Sequence, residues 1–186
     1  MKKFIGIFLL YFCPILGAIG QTSEEKALFD TINKYRVSKG LNKLIWDTSV
    51  YKMASHHAKY ITIINSAPYN KKLLTHTEEL DIADFEELNT VNDRGEKYSK
   101  ARFVKDPYSS FAENCCLLSS GKTVKKDIHN NFFKCWLNSK DGHKEILEDK
   151  SSNFGGCSIQ YYFMEVTLDS GVIRKIPMAV AVLDLY

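Results

Sequence analysis

The chain has 186 residues, of which 45% are hydrophobic and 25% are charged, and its formal net charge at pH 7 is +3. A chain of this length favours one domain of ordinary size. So small an excess of positive charge gives no general attraction to nucleic acid, and we therefore expect no nucleic-acid partner.

The N-terminus has the pattern of a secretory signal peptide. Two lysines precede the apolar run 4–16, and residues 18–20 form a small-x-small cleavage pattern. The run is too short for a membrane-spanning helix. The pattern predicts a signal peptide at 1–20, a domain at 21–186 without a membrane span, and a secreted or periplasmic protein. The predicted domain holds 23 basic residues against 22 acidic ones.

Cysteine usage agrees with export to an oxidising compartment. Cys13 lies in the predicted leader, where the bulky residues before it argue against lipidation. The other four cysteines allow three disulfide connectivities. A bridge between Cys115 and Cys116 is the least expected, because neighbouring cysteines close a strained ring. We expect Cys157 to pair with Cys135 or with one of the vicinal pair, and free buried thiols are the alternative.

The first half of the domain predicts two helices joined by a short apolar connection. Thr22 and Glu25 have the spacing of a capping box at the start of the first helix. The second helix, capped by Asp47 or by the residue after it, carries an apolar stripe along one face. His57 lies in that stripe and His56 lies beside it, so we interpret both as structural residues and assign neither to a reaction.

The rest of the chain is irregular at first and then changes period. Residues 65–110 predict loops with short helices, for example around 78–89, and a stronger helix is predicted at 123–139. The β-rich runs 156–168 and 172–186 are separated by a turn sequence and predict a hairpin with long arms. The last strand is apolar on both faces and must be covered on both. The pattern predicts a three-layer α/β/α fold.

Three polar residues outside these amphipathic patterns are the candidates for a functional site. They are His76, Glu113 and His143, and the last of them follows a glycine. Two imidazoles and one carboxylate are the minimum set for a zinc-type site with water in a fourth position. The same groups could act as general acid and base. Their separations of 37 and 30 residues are not metal-motif spacings, so spacing alone does not bring them together.

Short motifs around His76, Glu113 and His143, and elsewhere in the chain, occur in the order typical of one protein family. Residues 27–186 resemble the CAP superfamily of cysteine-rich secretory, antigen 5 and pathogenesis-related 1 proteins, also called SCP domains. The similarity is greatest to the compact bacterial-type domain. The motifs that carry it are Asn33-x-x-Arg36, Gly40-Leu41, Leu44-x-Trp46-Asp47, Leu74-Thr75-His76, Ala112-Glu113-Asn114, Trp136-x-x-Ser139 and Gly142-His143.

The resemblance implies a central, mostly antiparallel sheet between helical layers and a cleft lined by His76, Glu113, Ser139 and His143. In the animal form of the family a second glutamate accompanies the first. Ser139 stands near the position of that second acid, so the full four-residue site is absent. His76 and His143 with one carboxylate still suffice for weak binding of zinc or another divalent cation. The long acidic segment 78–106 is a candidate for shaping or covering this cleft.

We therefore interpret the chain as an exported, monomeric binding or interaction module whose partner is a small molecule, a lipid or a protein. The alternative is a metal-assisted hydrolase of peptide or cell-envelope substrates, in which Glu113 activates water. The missing second acid favours the non-enzymatic interpretation. Two weaker alternatives are Ser139 as a nucleophile, although a serine there is more often a helix cap, and Cys115 or Cys116 paired with His143.

Overall fold

The structure is a computed structural model that describes residues 21–83, 85–86, 88–103, 111–121 and 126–186. The predicted signal peptide lies outside these ranges. The helices and strands are, in chain order, α1 (Ser23–Ser38), β1 (Ile45–Trp46), α2 (Thr48–Asn65), α3 (Val91–Phe103), β2 (Ala112–Ser119), α4 (Ile128–Leu137), α5 (His143–Leu147), β3 (Phe154–Thr167) and β4 (Ile173–Leu185). Among these described helices, none is long and apolar enough to cross a membrane.

The four strands form one mixed sheet in the order β1-β3-β4-β2. β3 and β2 both run antiparallel to β4, whereas the two-residue strand β1 runs parallel to β3. The predicted α/β fold with a mostly antiparallel sheet is thus confirmed, with one short parallel pair at its edge.

Helices cover both faces of this sheet, because β4 is apolar on both sides. Ala181 and Leu183 belong to a core formed with α1 and α4, whereas Val180 and Val182 belong to a core formed with α2. At Gly156 the N-terminal turn of α2 approaches so closely that an added Cβ would lie 2.2 Å from the Tyr51 nitrogen. The sheet therefore has an α1/α4 face and an α2 face.

Local capping fixes where the first two helices begin. Thr22 and Glu25 form the predicted capping box. The Asp47 side chain accepts hydrogen bonds from the backbone nitrogens of Ser49 (2.8 Å) and Val50 (3.1 Å). Both predicted helix starts are confirmed.

A buried arginine fixes the backbone that follows α5. The Arg36 guanidinium donates to the carbonyls of Leu147 (3.0 Å), Asp149 (2.9 Å) and Ser152 (3.2 Å). Burial lowers the pKa of Arg36, and the Asp149 charge opposes this change. Because three carbonyls share one planar donor, α5 and its C-terminal turn are held against α1.

The prediction of a helix around 78–89 is wrong, because the described residues there are irregular. The helix of this region is α3, which begins at Val91. Side chains from elsewhere satisfy the backbone amides that a helix would use. The Leu88 nitrogen donates to Glu78 Oε2 (3.0 Å), and the Leu80 nitrogen donates to the Tyr60 hydroxyl (3.0 Å). The helix expected at 123–139 is described as α4, and residues 122–125 lie outside the described ranges.

The disulfide joins Cys116 to Cys135, with a Cα–Cα distance of 6.9 Å, so the expected pairing of Cys157 is wrong. Cys157 is a buried free thiol of β3 whose Sγ lies 3.4 Å from the Glu25 carbonyl. β4 separates β3 from β2, and α4 packs beside β2, so Cys135 reaches Cys116 instead. Cys115 is also free and buried.

Replacing Cys135 by serine is expected to lower the free energy of unfolding by about 3 kcal/mol, because the bridge closes a loop between positions 19 apart. Urea denaturation of the variant and the wild type measures the difference. Dithiothreitol should lower the stability of the wild type by a similar amount and leave the variant unchanged. Equal stability of the oxidised wild type and the variant would contradict the assignment.

The predicted hairpin is confirmed, and its arms run past the end of β2. The β3–β4 ladder extends to the pair Thr167 and Ile173, whereas the β2–β4 ladder stops at Ser119 and Met178. The Ser120 nitrogen still donates to the Pro177 carbonyl at 2.8 Å. Within the described ranges, the outer part of the hairpin is therefore a two-stranded ribbon.

Candidate metal centre

Three of the residues singled out in the sequence meet at one edge of the α2 face. His76 Nδ1 lies 2.9 Å from Glu113 Oε1, and the ring centres of His76 and His143 are 6.4 Å apart. The His76 side chain is 55% exposed, whereas that of Glu113 is 3% exposed. These residues, here called the His/Glu site, combine an accessible imidazole with a buried carboxylate.

Ser139, the fourth predicted cleft residue, orients the imidazole of His143. Its hydroxyl donates to Asp141 Oδ2 (3.4 Å) and lies 2.8 Å from His143 Nδ1. In the tautomer whose Nδ1–H donates to the Ser139 oxygen, Nε2 of His143 keeps its lone pair. Burial and the neighbouring His76 lower the pKa of His143, which favours this neutral form.

The backbone of the His143 segment is tied to the strand that carries Glu113. The Asn114 side chain donates to the His143 carbonyl at 2.9 Å, and α5 begins at His143 itself. Gly142 precedes it with φ +86°, a conformation that a residue with a Cβ rarely adopts. The glycine before the histidine is therefore required by the turn that presents the imidazole.

Arg94 holds the second oxygen of Glu113. Its Nη2 donates to Glu113 Oε2, and its Nη1 contacts Glu78 Oε1 (3.4 Å) and the Leu88 carbonyl (3.2 Å). Burial raises the pKa of Glu113, but the charges of His57, His76 and Arg94 outweigh it, and the net change is downward. Glu113 is thus an anion with Oε2 occupied and Oε1 directed at the histidines.

A second buried carboxylate, Glu78, supports this arrangement from behind. Its two oxygens contact His57 Nδ1 (2.9 Å) and His56 Nε2 (3.1 Å). Burial raises the pKa of Glu78, but these hydrogen bonds and that from the Leu88 amide lower it to about 2. His57 is fully buried, as expected of a structural residue, yet it contacts two acids, because its Nε2 lies 3.7 Å from Glu113 Oε1.

Asp184 adds a third acid to the same buried region. It is fully buried in β4 directly opposite Glu113 of β2. Burial and the Glu113 charge raise the pKa of Asp184 well above its ordinary value, although Arg94 acts in the opposite direction. The neutral acid is therefore the form that this position favours beside an ionised Glu113.

A buried thiol lies against the His/Glu site. One donor atom each of His57, Glu113 and Cys115 lies within 4.8 Å of the others, so this group could hold a metal ion. Cys115 Sγ is also 3.7 Å from His76 Nδ1. The strand explains the placement, since Glu113 and Cys115 are two residues apart in β2 and share its α2 face.

Sequence reasoning missed the groups that hold Glu113 and the histidine behind it. Glu78, Arg94 and Asp184 were not among the candidates, and His57 was interpreted only as a packing residue. The available signal was Asp184, an acid inside a strand that is apolar on both faces. A buried acid needs a partner or a proton, so its presence predicts further charged groups nearby.

The donors fit a zinc-type ion by type. Two imidazoles bound to one tetrahedral zinc ion at about 2.0–2.1 Å have ring centres roughly 5 Å apart. The 6.4 Å between the rings of His76 and His143 is longer, so the two rings must approach each other to share an ion.

Comparison with known proteins gives a family and a fold. The model of the cysteine-rich secretory protein family, CAP, matches residues 29–163. No curated protein gives a match to the chain. An extracellular protein of Bacillus anthracis containing an SCP domain is similar in structure, with a TM-score of 0.51, 20% identity, and coverage of 85% of this chain and 39% of that one.

Two further solved structures are similar at lower TM-scores. An outer surface protein of Borrelia burgdorferi has a TM-score of 0.48 and 21% identity, with coverage of 89% of this chain and 95% of that one. A cysteine-rich secretory protein of Staphylococcus aureus has a TM-score of 0.42 and 16% identity, with coverage of 90% and 40%. The chain thus spans less than half of the Bacillus and Staphylococcus proteins.

Proposed function

Because this chain belongs to the CAP family of cysteine-rich secretory proteins, we propose that it is an exported binding module whose His/Glu site takes a divalent cation. The observation that carries the proposal is the contact of His76 Nδ1 with Glu113 Oε1 at 2.9 Å, with the His143 ring 6.4 Å from that of His76. Zinc is the ion that this mixed nitrogen and oxygen donor set favours among common divalent cations.

Three observations support export. Residues 1–20 have the order of basic, apolar and small residues that is typical of a signal peptide. The similar SCP-domain protein of Bacillus anthracis is described as extracellular. A disulfide between Cys116 and Cys135 agrees with an oxidising compartment.

The exposure of His76 indicates how a ligand would meet the ion. Its side chain is 55% exposed, so water or an oxygen donor of a partner can reach an ion bound there and add to its coordination. Such access suits a small molecule, a lipid headgroup or a protein side chain. In this proposal the chain's own residues bind and orient the ion, and the ion accepts an oxygen donor of the ligand.

The hydrolase alternative is less well supported by the same residues. A base that activates water needs a free oxygen and a pKa near the working pH. Glu113 Oε2 is held by Arg94, and the pKa of Glu113 is lowered. By the resemblance to the animal form of the family, Ser139 stands near the position of a second acid, and its oxygen contacts the Asp141 nitrogen and His143 Nδ1.

Calorimetric titration with zinc tests the proposed site. His76→Ala is expected to weaken zinc affinity by roughly tenfold or more, because it removes one of few donors, and His143→Ala is expected to weaken it less, because the His143 ring borders the site 6.4 Å from that of His76. His129→Ala, a histidine in the first turn of α4, is the matched control and should bind like the wild type. Equal affinity in all four proteins, or no binding to the wild type, would overturn the proposal.

A further inference from the structure

We propose that the ion at the His/Glu site is bound on its buried side by the Cys115 thiolate, together with His57 and Glu113, and on its exposed side by His76. The inference rests on the proposed function, because it concerns the same ion. It adds a ligand class, since a thiolate selects zinc or cadmium over magnesium and calcium. It also moves the ion inward, from a surface pair of histidines to the base of the site.

Two of the distances between the donors match those of a tetrahedral site. Ligands at about 2.0–2.3 Å from a zinc ion stand roughly 3.3–3.8 Å from one another. Cys115 Sγ is 3.7 Å from His76 Nδ1, and His57 Nε2 is 3.7 Å from Glu113 Oε1. The contact of His76 Nδ1 with Glu113 Oε1 is shorter, at 2.9 Å, and lengthens by a small ring movement when an ion enters between them.

Residues behind the donors hold them in the orientation that an ion requires. Arg94 occupies Glu113 Oε2 and leaves Oε1 for the ion. Glu78 accepts at His57 Nδ1, the carboxylate–histidine arrangement that directs the other ring nitrogen to a metal. His57 Nε2 now lies 2.8 Å from the Thr75 carbonyl and would exchange that contact for the ion.

The thiolate is the form of cysteine that binds a metal ion, and the thiol proton passes to solvent when the ion binds. Cys115 is also kept out of the disulfide, because its neighbour Cys116 points to the opposite face and bridges to Cys135.

Cys157 provides a matched control within the same fold. It is likewise a buried free thiol on a central strand, but it lies on the α1/α4 face with its Sγ at the Glu25 carbonyl. In the described part of the chain, the group of three metal-ligating residues at mutual reach contains Cys115 and not Cys157. The two cysteines therefore differ in surroundings and not in burial.

Cadmium titration followed by ultraviolet absorption tests the thiolate ligand, with Cys13 replaced by serine in every sample. The wild type and Cys157→Ser are expected to develop a thiolate-to-cadmium charge-transfer band that saturates at one equivalent. Cys115→Ser should lack the band and bind cadmium roughly tenfold or more weakly. Zinc-edge X-ray absorption of the protein with Cys115 intact should add a sulfur neighbour at about 2.3 Å.

The outcomes separate this inference from the proposed function. One-equivalent cadmium binding that is weakened by His76→Ala but shows no band would overturn the thiolate ligand and leave the His/Glu site standing. A band that persists in Cys115→Ser, or is lost in Cys157→Ser, would also overturn it. Absence of any binding overturns both proposals. If Cys115→Ser does not fold, the sulfur neighbour in the X-ray absorption spectrum decides the question alone.

Discussion

Replacing Arg94 by methionine is expected to lower the free energy of unfolding by about 3–5 kcal/mol, because two buried carboxylates lose a shared cation. Arg94 and Glu78 are fully buried, and Glu113 is nearly so. Burial lowers the pKa of Arg94, but the charges of Glu113 and Glu78 oppose this effect, and the net change is upward. The arginine is therefore charged and cannot be removed without leaving uncompensated anions.

Thermal and urea unfolding of the Arg94→Met protein measure this loss. For a chain of this size the expected loss corresponds to a Tm lower by roughly 10 °C. Arg174→Met, which removes an exposed arginine of β4, should stay within about 0.5 kcal/mol of the wild type. Adding Glu113→Gln to Arg94→Met should recover part of the loss, since it removes one of the two anions. An Arg94→Met protein as stable as the wild type would contradict this account.

Replacing Glu78 by glutamine is expected to cost about 3 kcal/mol at pH 7 and almost nothing near pH 2. The pKa of Glu78 is lowered from 4.5 to about 2 in the folded protein, where burial is outweighed by hydrogen bonds from His56 and His57. The unfolded chain therefore takes up its proton first as the pH falls. The stability that this carboxylate contributes is complete above pH 4.5 and is lost as the pH falls through about 2.

Urea unfolding of the wild type and Glu78→Gln between pH 7 and pH 2.5 tests the linkage. The difference in free energy of unfolding should narrow to roughly 1 kcal/mol at pH 3. Glu79→Gln, at the exposed neighbouring position, is the matched control and should follow the wild type within about 0.5 kcal/mol. A difference that stays constant over the whole pH range would show that Glu78 acts through packing and not through its charge.

Much of the fold follows from local pattern, because capping and period are properties of short segments. The Thr22 box, the start of α2 and the long hairpin could all be predicted from residues within a few positions of one another. The disulfide could not, because its pairing depends on the order of the strands. The position of β4 between β3 and β2 separates Cys157 from Cys116, and Cys116 is bridged by Cys135 of α4 instead.

The candidate site could likewise be predicted only in part from short segments of the sequence. The resemblance of the motifs to one family directed attention to His76, Glu113 and His143, and these residues lie together. The cation that neutralises Glu113 comes from α3, in the segment that was interpreted as an acidic insertion. Arg94 has no motif around it, and only the folded chain brings it to Glu113 and Glu78.

The projecting hairpin carries features that oppose the addition of a further strand to its edge. In an antiparallel strand the nitrogen and the carbonyl of one residue face the same neighbour. Pro177, whose carbonyl bonds Ser120, therefore offers β2 no N–H with which to continue. Beyond Pro177, no strand of the described residues pairs with β4 on this side, and Ile173 there is exposed. The charges of Arg174 and Lys175 oppose the addition of a strand from another molecule, so this edge is a poor template for aggregation.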